Sequence, residues 1–371
     1  MGKRTSKPFD GLAHVRMWSA GPMPAGAFAA ARRVVTLPGV VRGAALPDVH
    51  AAGEACVGAT VAVEGRVYPD AAGRDVGCGM LAVPFDGSAV DVDPVDALRR
   101  ISDAVPTMRR SAAADLSGLG TLSTPALQKF AEREGAWQFG TLGRGNHFVE
   151  LQADEQTNGL WLLVHSGSRG VGEILSRLHI KSAETDAPLP YLSAGDLRCE
   201  AYLHEAAWLR DYARRSRRDM ADVAARSLGL DFAGDGFDTC HDSVLPETVD
   251  GRMLFVHRKG VQKLAEGEPG VLPGSIGTAT LHVEARATTA SLGGVSHGCG
   301  RLLSRRDARR AVGGRELARQ LRGVAYEPCY ADAFREEAPS AFRDVREVAK
   351  AQRDLLRTVR VLRPLCVHKG Q

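Results

Sequence analysis

The chain has 371 residues, 44% of them hydrophobic, and a formal net charge of +4, which is enough apolar material for a sizeable core and too little excess charge to demand or exclude a polyanion. No window approaches the roughly 18 uninterrupted apolar residues of a membrane span, and the opening MGKRTSKPFDGLAHVRMW lacks the apolar core of a secretory signal, so the expectation is a cytoplasmic protein with no membrane partner. Seven scattered cysteines, an odd number, argue for reduced thiols rather than a disulfide framework.

In chain order, GATVAVEG (58–65) reads as a strand, DPVDALRRI from Asp93 as a helix, and GLWLLVHS (159–166) as a strand. The run from Leu197, LRCEAYLHEAAWLRDYARRSRRDMADVAARSL, reads as a long helix. RMLFVH (252–257) and TATLHVEA (278–285) read as strands, and FRDVREVAKAQRDLLRTVRVL near the C-terminus as a helix. No repeat period, linker or regular strand-helix alternation is present. The expected fold is therefore α+β, a single mixed domain over 1–371, and not a doubly wound sheet.

Polar residues suited to chemistry sit mostly at the ends of these strands, beside glycine or small polar residues in turns: Asp75 and Cys78 in GRDVGCGM, Asn146 and His147 in GTLGRGNHFVE, His165 in LLVHSGSRG, and His241 in FDTCHDS. A thiolate, three imidazoles and a carboxylate make a competent set for a borderline divalent cation, and ligand chemistry alone favours zinc. No CxxC or HExxH motif is present to fix the set by spacing. Further on, GVSHGCGRLLSR (294–305) places His297 among glycines and ahead of Arg301, a histidine presented toward an anion. Eight arginines between Arg301 and Arg322, against Asp307 and Glu316, offer either a phosphate-binding stripe or a solvated helix face.

Taken together these blocks resemble the RtcB family, GTP-dependent RNA ligases of tRNA splicing and RNA repair. The match runs in order through LPDVH (46–50), DVGCGM (75–80), GTLGRGNHFVEL (140–151), VHSGSRGVG (164–172), CHDS (240–243), HRKG (257–260), PGSIGTAT (273–280), SHGCGRLLSR (296–305) and VHKG (367–370), nearly the whole chain. The resemblance implies a nucleotide and metal site at strand ends. It assigns His297 as the nucleophile that takes GMP from GTP, and Asp75, Cys78, His147, His165 and His241 as ligands of two manganese ions bridged by the cysteine. Around the guanylate it implies Asn146 on a phosphate, Glu150 and Lys369 at the guanine edge, Ser275 lining the pocket, Gly298, Gly300 and Arg301 about the phosphate, and Phe342 stacked on the base where many members carry tyrosine. GMP would pass from His297 to an RNA 3′-phosphate, and a 5′-hydroxyl would then displace it and seal the strand; a 2′,3′-cyclic phosphate would first be opened. The implied partners are cleaved tRNA or rRNA and an archease-like activator.

The chain departs from the family pattern in four places. Asp242 follows His241 where asparagine is usual, setting a carboxylate in the expected nucleotide site. Ala51-Ala52-Gly53-Glu54 replaces the usual glycine pattern after PDVH, Arg74 precedes Asp75, and Cys299 replaces an alanine beside the nucleophile. Asp242 keeps a second reading open, a two-metal phosphoesterase acting on cyclic phosphate ends; a non-catalytic RNA-end binder is a third.

Overall fold

A computed structural model describes residues 5–370, and its architecture is carried by two large, mostly antiparallel sheets. The first has six strands in the order Lys7–Phe9, Leu12–Met17, Val40–His50, Val57–Val63, Arg252–Lys259, Asp242–Val249. The second runs Phe237–Cys240, Gly79–Ser88, Gly159–Ser166, Phe148–Asp154, Leu356–Lys369, Thr280–Ala285, Pro269–Pro273, with the short Ala325–Tyr326 added in parallel to Leu356–Lys369. Phe237–Cys240 belongs to one sheet and Asp242–Val249 to the other, so His241 lies at the seam where the chain crosses between them.

Helices cover the sheets where apolar residues repeat at helical spacing. Helix Pro94–Ala104 starts as Asp93 predicts, its carboxylate accepting the Val95 N–H at 2.9 Å. Its Leu98 and Ile101 pack with Met220 and Ala224 of the long helix Leu197–Leu228 against Leu151, Leu162 and Val164 of the eight-stranded sheet. The long helix is capped by Asp196 at its start and ended by Gly229 in the left-handed conformation. Helix Ala25–Val35 covers the six-stranded sheet through Ala27, Ala31, Val34 and Val35.

This is the expected mixed α and β structure in one compact domain, and the 159–166 strand and the long helix from Leu197 match the sequence reading to the residue. The C-terminal helix does not. Only Val345–Ala351 is helical, and Leu356–Lys369 is a strand of 14 residues paired on both sides. Thr358, Val359 and Val361 disfavour a helix by crowding at Cβ, and Pro364 would break one, so pairing with Phe148–Asp154 and Thr280–Ala285 prevails.

One buried charge locks the two layers where the chemistry-bearing residues meet. Arg217 of the long helix is 1% exposed; it holds Asp238 through two bonds of 2.7 Å and donates to the carbonyls of Gly77 at 2.9 Å and Ser166 at 2.8 Å. Those carbonyls flank Cys78 and His165, so this guanidinium fixes the turn carrying one and the strand end carrying the other.

Candidate metal and nucleotide site

Asp75 and Cys78 occupy the turn before strand Gly79–Ser88, His147 immediately precedes Phe148–Asp154, and His165 closes Gly159–Ser166. Register brings them together, because Met80 pairs with His165 and Phe148 also pairs with His165 on its other side. Cys78 Sγ lies 3.5 Å from His147 Nε2 and 3.4 Å from His165 Nε2, and His165 Nε2 lies 3.4 Å from His241 Nε2. Asp75 Oδ2 is 3.1 Å from His147 Nε2. Two groups of three result, Cys78 with His165 and His241, and Asp75 with Cys78 and His147, each with its donor atoms within 4.8 Å and both sharing the sulfur.

The donor chemistry fits a pair of divalent cations. His147 Nδ1 donates to the Leu142 carbonyl at 3.0 Å, which turns the Nε2 lone pair toward Cys78 and the Asp75 carboxylate. Burial holds His165 and His241 well below the usual imidazole range, so both are neutral and present lone pairs. Burial, reinforced by Asp75 and Asp242, holds the Cys78 thiol well above its usual range, so a thiolate there needs a cation beside it. Asp75 is lowered on balance: burial raises it, but His147, Arg169 and Ser168 outweigh that. Its Oδ1 accepts from Ser168 Oγ at 3.0 Å and from the Arg169 N–H at 3.1 Å, with Arg169 at φ +63°, a strained backbone for arginine that aims this N–H at the carboxylate.

His297 stands beside this cluster, its ring centroid 4.9 Å from that of His241. The fully buried Asp48 holds it, Oδ2 accepting from His297 Nδ1 at 2.8 Å and from its backbone N–H at 3.1 Å. Burial lowers the His297 imidazole, but the Asp48 hydrogen bond and charge outweigh it and leave the group raised. Gly300, at φ +71°, is needed for this contact: a Cβ there would meet the Asp48 backbone, with Cα only 2.7 Å away.

A cavity of about 790 Å³ opens from His297 and His165, a volume suited to a nucleotide. Asn146, Glu150, Ser275 and Phe342 line it, as do Gly298, Gly300, Arg301 and Lys369. Burial pushes Glu150 up to about 7, offset in part by the hydrogen bond from Gln152 Nε2 at 2.6 Å and by Lys369. Lys369 is lowered by burial against the pull of Glu337, and its ammonium has no hydrogen-bond partner among the described residues. Arg301 stacks over Phe342 at 4.5 Å, donates to the Leu303 carbonyl at 3.2 Å and pairs with Glu337 at 3.3 Å, so in this structure it braces the aromatic ring.

Asp242 is the one expected nucleotide contact that does not line the cavity. Its Oδ1 accepts the Gly260 N–H at 2.8 Å, its Oδ2 rests against Gly73, and burial pushes it up to about 7. The Ala51–Glu54 departure is accommodated by Lys259, which donates to the carbonyls of Ala52 at 3.1 Å and Ala55 at 2.9 Å. Cys299 is buried and its thiol pushed up to about 12, which keeps it from thiolate chemistry.

The arginine run is mostly compensated. Arg305 approaches Glu337 at 3.6 Å, Arg309 pairs with Glu336 at 2.8 Å, and Arg319 with Glu316 at 2.7 Å. Arg310, Arg315 and Arg322 are exposed and make no carboxylate pair within 4.0 Å among the described residues. Sequence reasoning gave no role to Asp48, Glu337 or Arg217; PDVH was visible as a motif, but a lone aspartate, glutamate or arginine carries no spacing signal that tells a buried partner from a surface charge.

Comparison with known proteins agrees with the motifs. The family described as "tRNA-splicing ligase RtcB" matches residues 30–121 and 110–370. The chain is 30% identical over 403 residues to the RNA-splicing ligase RtcB of Escherichia coli strain K12, covering 96% of this chain and 98% of that one. It is 27% identical over 428 residues to RNA-splicing ligase RtcB of Mycobacterium tuberculosis, covering 91% and 99% respectively. With the tRNA-splicing ligase RtcB of Nanoarchaeum equitans it shares 29% over 300 residues, 66% of this chain and 62% of that one. Among the described residues no helix is long and apolar enough to cross a membrane.

Proposed function

The chain belongs to the RtcB family, and from that premise we propose that it is an RNA ligase that joins a 3′-phosphate or 2′,3′-cyclic phosphate end to a 5′-hydroxyl end with GTP and two manganese ions. The observation that carries this reading is His297, anchored through Nδ1 on buried Asp48 and set between the cysteine-histidine cluster and a nucleotide-sized cavity.

Because Nδ1–H is donated to Asp48, Nε2 carries the lone pair. Attack of Nε2 on the α-phosphorus of GTP forms an N–P bond and releases pyrophosphate, and Asp48 stabilises the positive charge that develops on the ring. An oxygen of the RNA 3′-phosphate then takes the GMP phosphorus, breaking the N–P bond and leaving a pyrophosphate linkage at the RNA end. The 5′-hydroxyl attacks the RNA-side phosphorus and GMP departs, a far better leaving group than an unactivated phosphate offers. Manganese held by Asp75, Cys78, His147, His165 and His241 would neutralise phosphate charge and polarise phosphorus. Glu150 accepts from the guanine N1–H and amino group, Lys369 donates to O6, Phe342 stacks on the base, and Asn146 and Ser275 hold the phosphate and the pocket wall.

The phosphoesterase reading takes its motive from Asp242, whose carboxylate accepts from Gly260 and adds negative charge near Cys78 and His297. RNA fragments bearing a 3′-phosphate or a 2′,3′-cyclic phosphate, mixed with a 5′-hydroxyl strand, GTP and manganese, should give a joined product, and an archease-like activator, supplied in a second arm, should raise turnover. Opening of the cyclic phosphate with no joined product in either arm favours the phosphoesterase.

A further inference from the structure

The cavity has two chemically different walls on either side of His297. The segments that carry Arg301, Arg305, Phe342 and Lys369 supply cations and an aromatic face. The wall from the six-stranded sheet and its covering helix is formed by Pro24, Gly26, Ala27, Ala51, Ala52 and Val57, none of them charged, together with His50. The His50 ring lies nearly parallel to that of His297, 6.4 Å between centroids and 24° apart. Its Nδ1 is 2.9 Å from the Asp48 carbonyl, an atom that can only accept, so Nδ1 is the protonated nitrogen. Nε2 is thereby fixed as a lone pair, and it has no hydrogen-bond partner among the described residues. Asp48 thus sets both imidazoles, His297 through its side chain and His50 through its backbone.

We propose that this uncharged wall receives the 5′-terminal nucleoside of the second RNA strand and that His50 Nε2 accepts the hydrogen bond of its 5′-hydroxyl. The proposal rests on the ligase reading and extends it to a subsite and a residue. A neutral acceptor repels phosphate oxygens, which are acceptors too, and the guanine donors are met at the other wall. The donor group that must approach the activated 3′ end beside His297 is the 5′-hydroxyl. As the O5′–P bond forms and the P–O bond to GMP breaks, the electron pair leaves with GMP and the hydroxyl proton passes to Nε2. The small side chains at Ala27, Ala51 and Ala52 leave room for a ribose, and the absence of a cation on this wall disfavours a 5′-phosphate.

The test follows three readouts on the full chain with manganese and GTP: GMP transfer to His297, appearance of RNA carrying a 3′-terminal GMP, and sealing. His50→Phe keeps an aromatic ring over His297 and removes the lone pair. It is expected to guanylate within about threefold of the parent, to accumulate the activated RNA and to seal at least 30-fold more slowly. In a second variant, His50→Ala, free imidazole in the buffer should restore sealing at least fivefold without changing guanylation. Sealing by His50→Phe within threefold of the parent, guanylation falling in step with sealing, or no imidazole rescue in a His50→Ala chain that melts as the parent does, would each overturn the assignment. A parent chain that neither guanylates nor seals would instead remove the ligase reading on which it rests.

Discussion

Asp48 Oδ2 lies 2.8 Å from His297 Nδ1 and 3.1 Å from the His297 backbone N–H, one carboxylate oxygen fixing both the tautomer and the position of the nucleophile. Asp48→Asn removes the charge and offers an amide that can turn a donor toward Nδ1, favouring the wrong tautomer. Single-turnover guanylation is expected to fall by about 10²-fold or more, as loss of an orienting carboxylate does in other histidine sites. GTP affinity, measured separately, should change little, since Asp48 is not part of the cavity wall.

Cys78 is shared by both three-residue groups, whereas His147 belongs to one. Metal content after dialysis should therefore drop from two ions per chain to one in His147→Ala and toward none in Cys78→Ala. Equal loss in the two variants would count against a bridging sulfur.

Glu150 gives a pH dependence with a definite sign. Its folded value, about 7, is above the ordinary 4.5, so its contribution to the stability of the ligand-free chain is fully present below about 4.5 and is lost as pH rises through about 7. Guanine donors require the ionised form. GTP binding should thus be about tenfold tighter at pH 8 than at pH 6 from this group alone. Glu150→Gln should bind GTP weakly and flatten the profile, as calorimetric titration across this range will report.

Arg217 makes four hydrogen bonds from a position 1% exposed. Arg217→Ala leaves Asp238 and two carbonyls without their donor and is expected to cost about 3–5 kcal/mol in denaturant unfolding. Metal affinity should fall with it, because the Gly77 and Ser166 backbone it anchors flanks Cys78 and His165.

Of the arginine run, only Arg310, Arg315 and Arg322 carry uncompensated charge among the described residues, so any electrostatic contribution to RNA binding falls to them. Replacing all three with glutamine should lower the salt slope of RNA affinity by up to about 2, at roughly 0.7 per phosphate of a single strand. An unchanged slope would mark the run as a solvated face.

Much of the site was legible because its parts sit at strand ends beside glycine or small polar residues, where His147, His165 and His241 stand out. The strand GLWLLVHS and the helix from Leu197 were legible from length and flanking caps. Leu356–Lys369 was not: the charged and leucine-rich run before it carries a helical pattern, and only long-range pairing with strands some 75 and 215 residues earlier decides for sheet. Asp242 was legible only as a neighbour of a metal ligand. Its carboxylate accepts from Gly260 and rests against Gly73 outside the cavity wall, while its charge still acts on Cys78 and His297.

The most direct measurement is to incubate the chain with manganese and α-labelled GTP and to compare it with His297→Ala. Acid-labile, alkali-resistant label on the parent and none on the variant is the predicted result. Equal label on both, or none on the parent with manganese or any other divalent ion, would contradict the assignment of His297 as the guanylated nucleophile.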